Sequence, residues 1–213
     1  MEIRVKPTRM ELNLLKRRLK MAQRGHKLLK DKRDELMRKF LELIRENKEL
    51  RARVEEELSR SFANFLLAQA VMSPETMEEA IMFPKAKAEL EVGEENMMSV
   101  KVPRFNLAKG EGTRGDVYPY GFANTSGELD TSISALAEIL PHLIRLAELE
   151  KAVFLLADEI DKTRRRVNAL EHVLIPQLQR AIKYITMKLD ENERGALTRL
   201  MKIKDIVRKE ESA

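Results

Sequence analysis

Apolar residues recur along the first third of the chain at alternating steps of three and four. From Leu12 they fall at Leu15, Leu19, Ala22, His26, Leu29, Arg33, Leu36, Phe40, Leu43, Asn47, Leu50 and Val54, interrupted only by His26, Arg33 and Asn47. A stripe of this period lies along one side of an α-helix and is buried only when a second helix packs on it. Pro7 and the Thr8-Arg9-Met10-Glu11 sequence mark its start. There the Thr8 hydroxyl can accept from the Glu11 amide, and the Glu11 carboxylate can reach back to the Thr8 amide. No proline follows until Pro74, and Gly25 is the only glycine before it. The spacing predicts one helix from about Arg9 to Met72, on the order of 95 Å long. Near its end the steps read Val54, Leu58, Phe62, Phe65, and the doubled step of four is a stutter that locally relaxes a supercoil.

A second stripe occupies the last third: Ile133, Leu136, Leu140, Leu143, then Leu149, Val153, Leu156, Ile160, Thr163, Val167, Leu170 and Leu174. After another stutter it resumes as Leu178, Ile182, Ile185 and Leu189. Pro141 and Pro176 each remove an intrahelical donor and bend the helix. The stripe resumes beyond both, so the helix is expected to persist, with its cap between Thr125 and Thr131. Between the stripes the character changes. Ser73-Pro74-Glu75 caps a short helix reaching about Met82. Ala88–Val92 and Ser99–Val102 alternate, and read as two strands joined through Gly93 and its neighbours. Lys109–Gly115 holds three glycines and reads as a flexible loop.

The expected fold is mainly α: a long antiparallel two-helix coiled-coil hairpin with a small β-hairpin-containing head between the helices. Residues 1–72 form the first long helix, 73–126 the connecting head and 127–213 the second long helix. The seam is expected to hold Leu12, Leu15, Leu19, Leu29, Leu36, Leu43, Leu50, Leu156, Ile160, Val167, Leu170, Ile185 and Leu189. Both termini then sit at one pole and the β-containing head at the other. Composition agrees with long helices: 35% charged and 5% aromatic residues, with no Trp and few Gly or Pro. Charge is unevenly distributed. Residues 1–39 hold 14 Lys/Arg against 5 Asp/Glu, residues 74–126 hold 6 against 9, and residues 162–213 hold 13 against 7. The pole carrying the termini is therefore basic.

Candidate chemistry is sparse. The absence of Cys removes disulfides, thiol catalysis and thiolate metal sites. His26, His142 and His172 lack a second His or a suitable carboxylate at ligand spacing on their own helix face. No phosphate-cradling glycine motif or nucleophile elbow occurs. No catalytic residue, cofactor site or metal site is expected. No apolar run approaches the roughly 20 residues that span a bilayer, and the N-terminus has no signal-peptide core. Lys16-Arg17-Arg18 and Arg164-Arg165-Arg166 are basic clusters that suit a solvated face, an acidic protein surface or phosphates. Nucleic-acid binding calls for aromatic stacking residues among the basic ones, and Tyr184 is alone there apart from Phe40 on the stripe. Arg33 and Asn47 on the stripe either fix register or lie at its edge, and Gly25 either permits close approach or is a tolerated weak point.

Several stretches carry a family resemblance. Pro7–Leu12, Leu15–Leu19 and Arg24–Leu36 resemble the D subunits of the V-type/A-type ATPases (ATP synthases). So do Arg165–Glu171 with Ile175-Pro176, and Leu189–Arg194 leading to Leu200–Lys204. The resemblance covers essentially the whole chain and is weakest over Ser73–Ser126. It implies a non-catalytic axle of a rotary motor, the central rotor stalk, that couples ATP synthesis or hydrolysis to ion transport. Its implied partners are a hexamer of catalytic and non-catalytic subunits (A and B type), the small F-type stalk subunit, and a subunit linking the shaft to the membrane ring. It would act at the cytoplasmic face of the membrane without inserting into it, and would bind no nucleic acid. Arg9, Lys16, Arg17, Arg165 and Arg166 are the candidate hexamer contacts. A free-standing coiled-coil adaptor and a basic nucleic-acid-binding coiled coil are the alternatives, and neither accounts for the end motifs.

Overall fold

The computed structural model describes residues 6–82, 88–109, 118–121 and 125–211. The glycine-rich stretch 110–115 lies outside them. In chain order the elements are helix α1 (Arg9–Val71), helix α2 (Pro74–Ile81), strands β1 (Ala88–Met97) and β2 (Val100–Lys109), helix α3 (Gly127–Ala169), a π-helical turn (Leu170–Leu174) and helix α4 (Ile175–Glu211). The expected fold class, a helical hairpin with a small β-containing insertion, is the one observed. The chain forms two compact units, one of residues 1–35 with 161–213 and one of residues 36–160.

In the first unit the start of α1 packs antiparallel on α4. Leu15, Ala22, Leu178, Ala181 and Ile185 form its buried core, with Leu12, Leu19, Ile175, Ile182 and Leu189 packed around them. Half of the Thr8 capping box forms: the Glu11 amide donates to Thr8 Oγ1 at 3.2 Å. The other half is not made, because the Thr8 amide already donates to the Lys6 carbonyl at 2.9 Å.

The π-turn corrects the second stripe. Pro176 has no amide hydrogen, so an α-helical bond from residue 176 to the His172 carbonyl cannot form. The helix widens instead, and the Ile175 amide reaches the Leu170 carbonyl five residues back. One residue is taken up in the wider turn, and the buried face moves on by one position. Ile175 enters the core cluster while Leu174, expected on the seam, is 40% exposed.

In the second unit, residues 36–71 of α1 pack antiparallel on α3. Two further corrections fall here. The seam runs Val54, Leu58, Ser61, Phe65, Ala68, Met72 without a stutter, and Phe62 points outward at 57% exposure. On α3 it is Ile139, not Leu140, that is buried. Ser61 explains the first displacement. It is buried opposite the buried Ser132, and the two serines bond reciprocally. Ser61 Oγ donates to the Ser132 carbonyl at 3.3 Å, and Ser132 Oγ donates to the Ser61 carbonyl at 3.1 Å. Small side chains bonded to the opposite backbone require close helix approach, which a phenylalanine at this level would prevent.

The end of this unit is closed by α2. Ser73 caps it by accepting from the Thr76 amide at 3.3 Å, with Pro74 at the first helical position. Met77 and Ala80 of α2 pack on Ala68, Met72 and Leu129, joined by Phe65, Tyr120 and Ile133. The Tyr120 hydroxyl donates to Asp130 Oδ1 at 2.5 Å, and Tyr118 shares a hydrogen bond with Ser134 at 2.7 Å.

The β-ribbon departs furthest from expectation. The strands are ten residues each, and Gly93 sits within β1, paired with Arg104, rather than in the turn. The turn is Met98-Ser99, both with positive φ (54° and 73°). Two successive left-handed residues make the tight turn whose twist matches a hairpin. The Ser99 amide is held by Asn96 Oδ1 at 2.9 Å. The ribbon does not end beside α2. Its tip residues Met97, Met98, Val100 and Val102 belong to a core with Leu36, Phe40, Ala152, Leu156 and Ile160. Leu36 lies about 48 Å along α1 from Ala68 at 1.5 Å per residue. The tip is thus anchored on the helix pair, not at its closed end.

Candidate functional site

All five candidate contact residues lie in the first unit, on exposed helix positions. Arg9, at the start of α1, pairs with Glu193 of α4. Lys16 and Arg17 directly follow Leu15, which shares a core cluster with Ile185. Arg165 and Arg166 precede Val167, close to where Glu171 Oε2 meets His26 Nε2 at 3.3 Å. From His26 to Lys16 is about 15 Å along α1. The five therefore form two basic levels rather than one patch. Between them lie the π-turn and Gly25, where an added Cβ would meet no atom within 4 Å. Arg33, on the expected stripe, turns to Asp34 at 2.6 Å, and Asn47 is half-buried.

The thirteen expected seam residues are buried or half-buried. Leu15, Leu36, Leu156 and Ile185 are at most 1% exposed. Thr163 is also buried, and its hydroxyl has no hydrogen-bond partner among the described residues.

Interhelical polar pairs decorate the seam. In the second unit His142 Nδ1 lies 3.1 Å from Glu57 Oε2, and Arg51 lies 3.6 Å from Glu150. The Arg51 pKa is raised, first by its hydrogen bond to Glu55 and then by the charges of Glu55 and Glu150. These pairs are solvent-exposed, so they orient the helices more than they stabilise them. Tyr120 is different: burial first, and the Asp130 hydrogen bond second, push its pKa well above the ordinary tyrosine value. Among the described residues no cluster of His, Asp and Glu is placed to hold a metal. No described helix is long and apolar enough to cross a membrane.

Two surfaces go beyond what the heptad pattern alone indicates. Past the Arg9–Glu193 pair, α4 continues with Leu197, Leu200, Met201, Ile203, Ile206 and Val207 all exposed. Their spacing of three and four extends the stripe past Leu189 and is the available signal. On α1, Leu58, Phe62, Ala63 and Leu66 line an open groove of about 540 Å³ together with Glu55 and Ser59. Phe62 is legible as apolar, but its spacing alone assigns it to the seam.

The arrangement is an antiparallel helix pair in each unit, the first carrying exposed basic and apolar side chains and the second an apolar groove and a ribbon clasped to its side. Proteins of known family share the sequence that produces it. The family model for the ATP synthase D subunit matches residues 11–205. The V-type ATP synthase D subunit of Acetivibrio thermocellus is 59% identical over 205 residues, which is 96% of this chain and 92% of that protein. That of Clostridium botulinum (strain ATCC 19397 / Type A) is 59% identical over 213 residues, covering 100% and 99% of the two chains. That of Clostridium novyi (strain NT) is 58% identical over 212 residues, covering 99% and 98%. With a match that runs through both helices and the ribbon between them, the chain belongs to the family of ATP synthase D subunits.

Proposed function

We propose that the chain is the central stalk of a V/A-type rotary ATPase/ATP synthase, the shaft that couples ATP synthesis or hydrolysis in a catalytic hexamer to ion transport across the membrane. The observation that carries this reading is end-to-end similarity to V-type ATP synthase D subunits. The shaft performs no bond chemistry; nucleotide turns over on the hexamer of A- and B-type subunits. The small F-type stalk subunit binds alongside, and a further subunit links the shaft to the membrane ring at the cytoplasmic face.

The physical demands of that role match the described features. A shaft acts on a catalytic subunit only by binding its conformations unequally. Each face of such a shaft must therefore differ from the others. The π-turn, Pro141 and the two separated basic levels make the faces unequal. Contacts through exposed Lys and Arg are solvent-screened and exchange readily, which suits a surface that must move past its partners.

Reconstitution tests the reading. The chain is mixed with purified hexamer and the F-type stalk subunit, the products are separated by size, and ATP hydrolysis is assayed. Co-elution at one copy per hexamer with altered hydrolysis is expected; no association with either partner would overturn the reading. Replacing Arg9, Lys16, Arg17, Arg165 and Arg166 together by Gln should weaken coupling while leaving the helical content intact. Unchanged hydrolysis and coupling in that variant would remove these residues from the contact.

A further inference from the structure

The β-ribbon is anchored at its tip, yet among the described residues no third strand pairs with either of its edges. The register identifies which groups point outward. Met97 and Val100 flank the two-residue turn and pair directly. In such a hairpin that flanking pair exchanges both hydrogen bonds, and successive pairs alternate. Glu95↔Val102, Gly93↔Arg104 and Glu91↔Asn106 are therefore bonded across the ribbon, whereas Asn96↔Lys101, Glu94↔Pro103, Val92↔Phe105 and Leu90↔Leu107 turn their amides and carbonyls outward. Pro103 supports the assignment, since it occupies an outward position where no amide is needed by β1.

The two edges are consequently unlike. The outer edge of β2 is interrupted by Pro103, a common way of blocking strand addition, and β2 carries the buried Val100 and Val102. The outer edge of β1 holds no proline, and every residue from Ala88 to Asn96 is exposed. Outward amides at Leu90, Val92, Glu94 and Asn96 form an uninterrupted row. Beside that row lie exposed apolar side chains, Leu90 at 48% and Val92 at 64%. They share a face with Phe105 and Leu107 across the ribbon. The opposite face of β1 presents Glu89 and Glu91, for which the described residues supply no ion-pair partner, whereas Glu94 and Glu95 are engaged by Lys101 and Arg104 at 2.9 and 2.8 Å.

We propose that the outer edge of β1 receives an added strand from another subunit of the rotor, an extended segment with apolar residues on the Leu90/Val92 side and Lys or Arg on the Glu89/Glu91 side. Main-chain pairing supplies the affinity and the alternating side chains supply the register. The inference rests on the shaft reading, and that reading restricts the occupant. A ladder of four outward residues in fixed register cannot be broken and remade at every step of a turning shaft. The strand therefore comes from a subunit that turns with the shaft, not from the surrounding hexamer.

The test uses the full chain free and in the assembled ATPase complex. Site-resolved hydrogen exchange should slow by at least tenfold on assembly at Leu90, Val92 and Glu94, with little change at Gly93, which is already bonded within the ribbon. Equal rates at the outward amides in both states would overturn the proposal. Because the chain has no native Cys, a Val92→Cys variant can carry a single photo-cross-linker. One cross-linked partner, the same in all nucleotide states, is expected to be a co-rotating stalk component; cross-links to the hexamer would refute the assignment. Val92→Pro deletes one outward amide and spares the ladder, and should weaken binding of that partner at least tenfold, while Val92→Thr should not. If Val92→Pro binds as tightly as the parent, the edge is not the docking element. A chain that joins no component of the ATPase would instead sink the shaft reading, and the edge proposal with it.

Discussion

Ser61 and Ser132 allow a prediction in which two physical arguments give opposite signs. A leucine at a coiled-coil seam position ordinarily stabilises by adding buried apolar surface, so Ser61→Leu would be an improvement if the seam there were generic. The observed geometry says otherwise. Both serines are at most 1% exposed, and each hydroxyl bonds the carbonyl of the other's residue. The helices are close at this level, and the space beside Ser61 is already filled. Ser61→Ala and Ser132→Ala each lose one bond worth about 1 kcal/mol net. For a chain of this size that is about 2–4 °C in Tm per substitution. Ser61→Leu loses the same bond and must also push the helices apart, adding about 1–3 kcal/mol for overpacking. The order of Tm by circular dichroism should therefore be parent, then either alanine variant, then Ser61→Leu. A Ser61→Leu melt at or above the parent would refute the close-approach argument.

Three further outcomes follow from the packing and the charges. Ile175→Lys should destabilise by about 2 kcal/mol or more through lost burial, whereas Leu174→Lys should stay within about 0.5 kcal/mol; urea unfolding of the two variants, one residue apart, checks whether the π-turn has moved the seam. Leu36→Ala should cost about 2–5 kcal/mol and also speed hydrogen exchange at Val100 and Val102, because the ribbon tip shares that core; slow exchange retained at the tip would separate the two. Tyr120 has a folded-state pKa above its unfolded value, so its stabilising effect is complete below about pH 10 and is lost as pH rises from there through the raised value. Alkaline melts should accordingly show a fall in Tm that Tyr120→Phe diminishes, and an unchanged slope in the variant would exclude Tyr120 as its source.

What the sequence disclosed followed from periodicity. Leu12 to Val54 keeps one spacing, and a spacing held over that many turns admits few alternatives to a helix paired with another. The start of α2 was legible because Ser73-Pro74 is a capping sequence, and that of α3 only to within the 125–131 stretch, which holds several capping residues. The corrections share a cause: apolarity alone does not mark the seam. Ser61 is polar and buried because a partner carbonyl is within reach, which only the paired structure reveals. Leu174 and Ile175 are equally apolar, and the choice between them is made by a missing amide at Pro176. The turn at Met98-Ser99 was invisible because neither residue is a usual occupant of left-handed backbone, while Gly93, the expected turn former, is held in a strand. The position of the ribbon tip against Leu36 depends on long-range packing that no local pattern encodes. The candidate contact residues were recognisable as exposed basic side chains, but their separation into two levels needed the pairing of α1 with α4.

The wide turn at Leu170–Leu174 has a consequence for what lengths of chain the family can carry. Counting along the buried face, the steps are three and four on either side of this turn but five across it, from Leu170 to Ile175. A chain with one residue fewer between those two positions, and an amide-bearing residue in place of Pro176, would step by four and continue as plain α-helix, with every later side chain keeping its bearing on α1. A single deletion elsewhere in the packed part of α4 would turn the rest of the helix by about 100° and carry Leu178, Ala181 and Ile185 out of the core. Single-residue gaps among relatives should accordingly gather at this turn, making it the joint where the length of the helix can change without altering its fit.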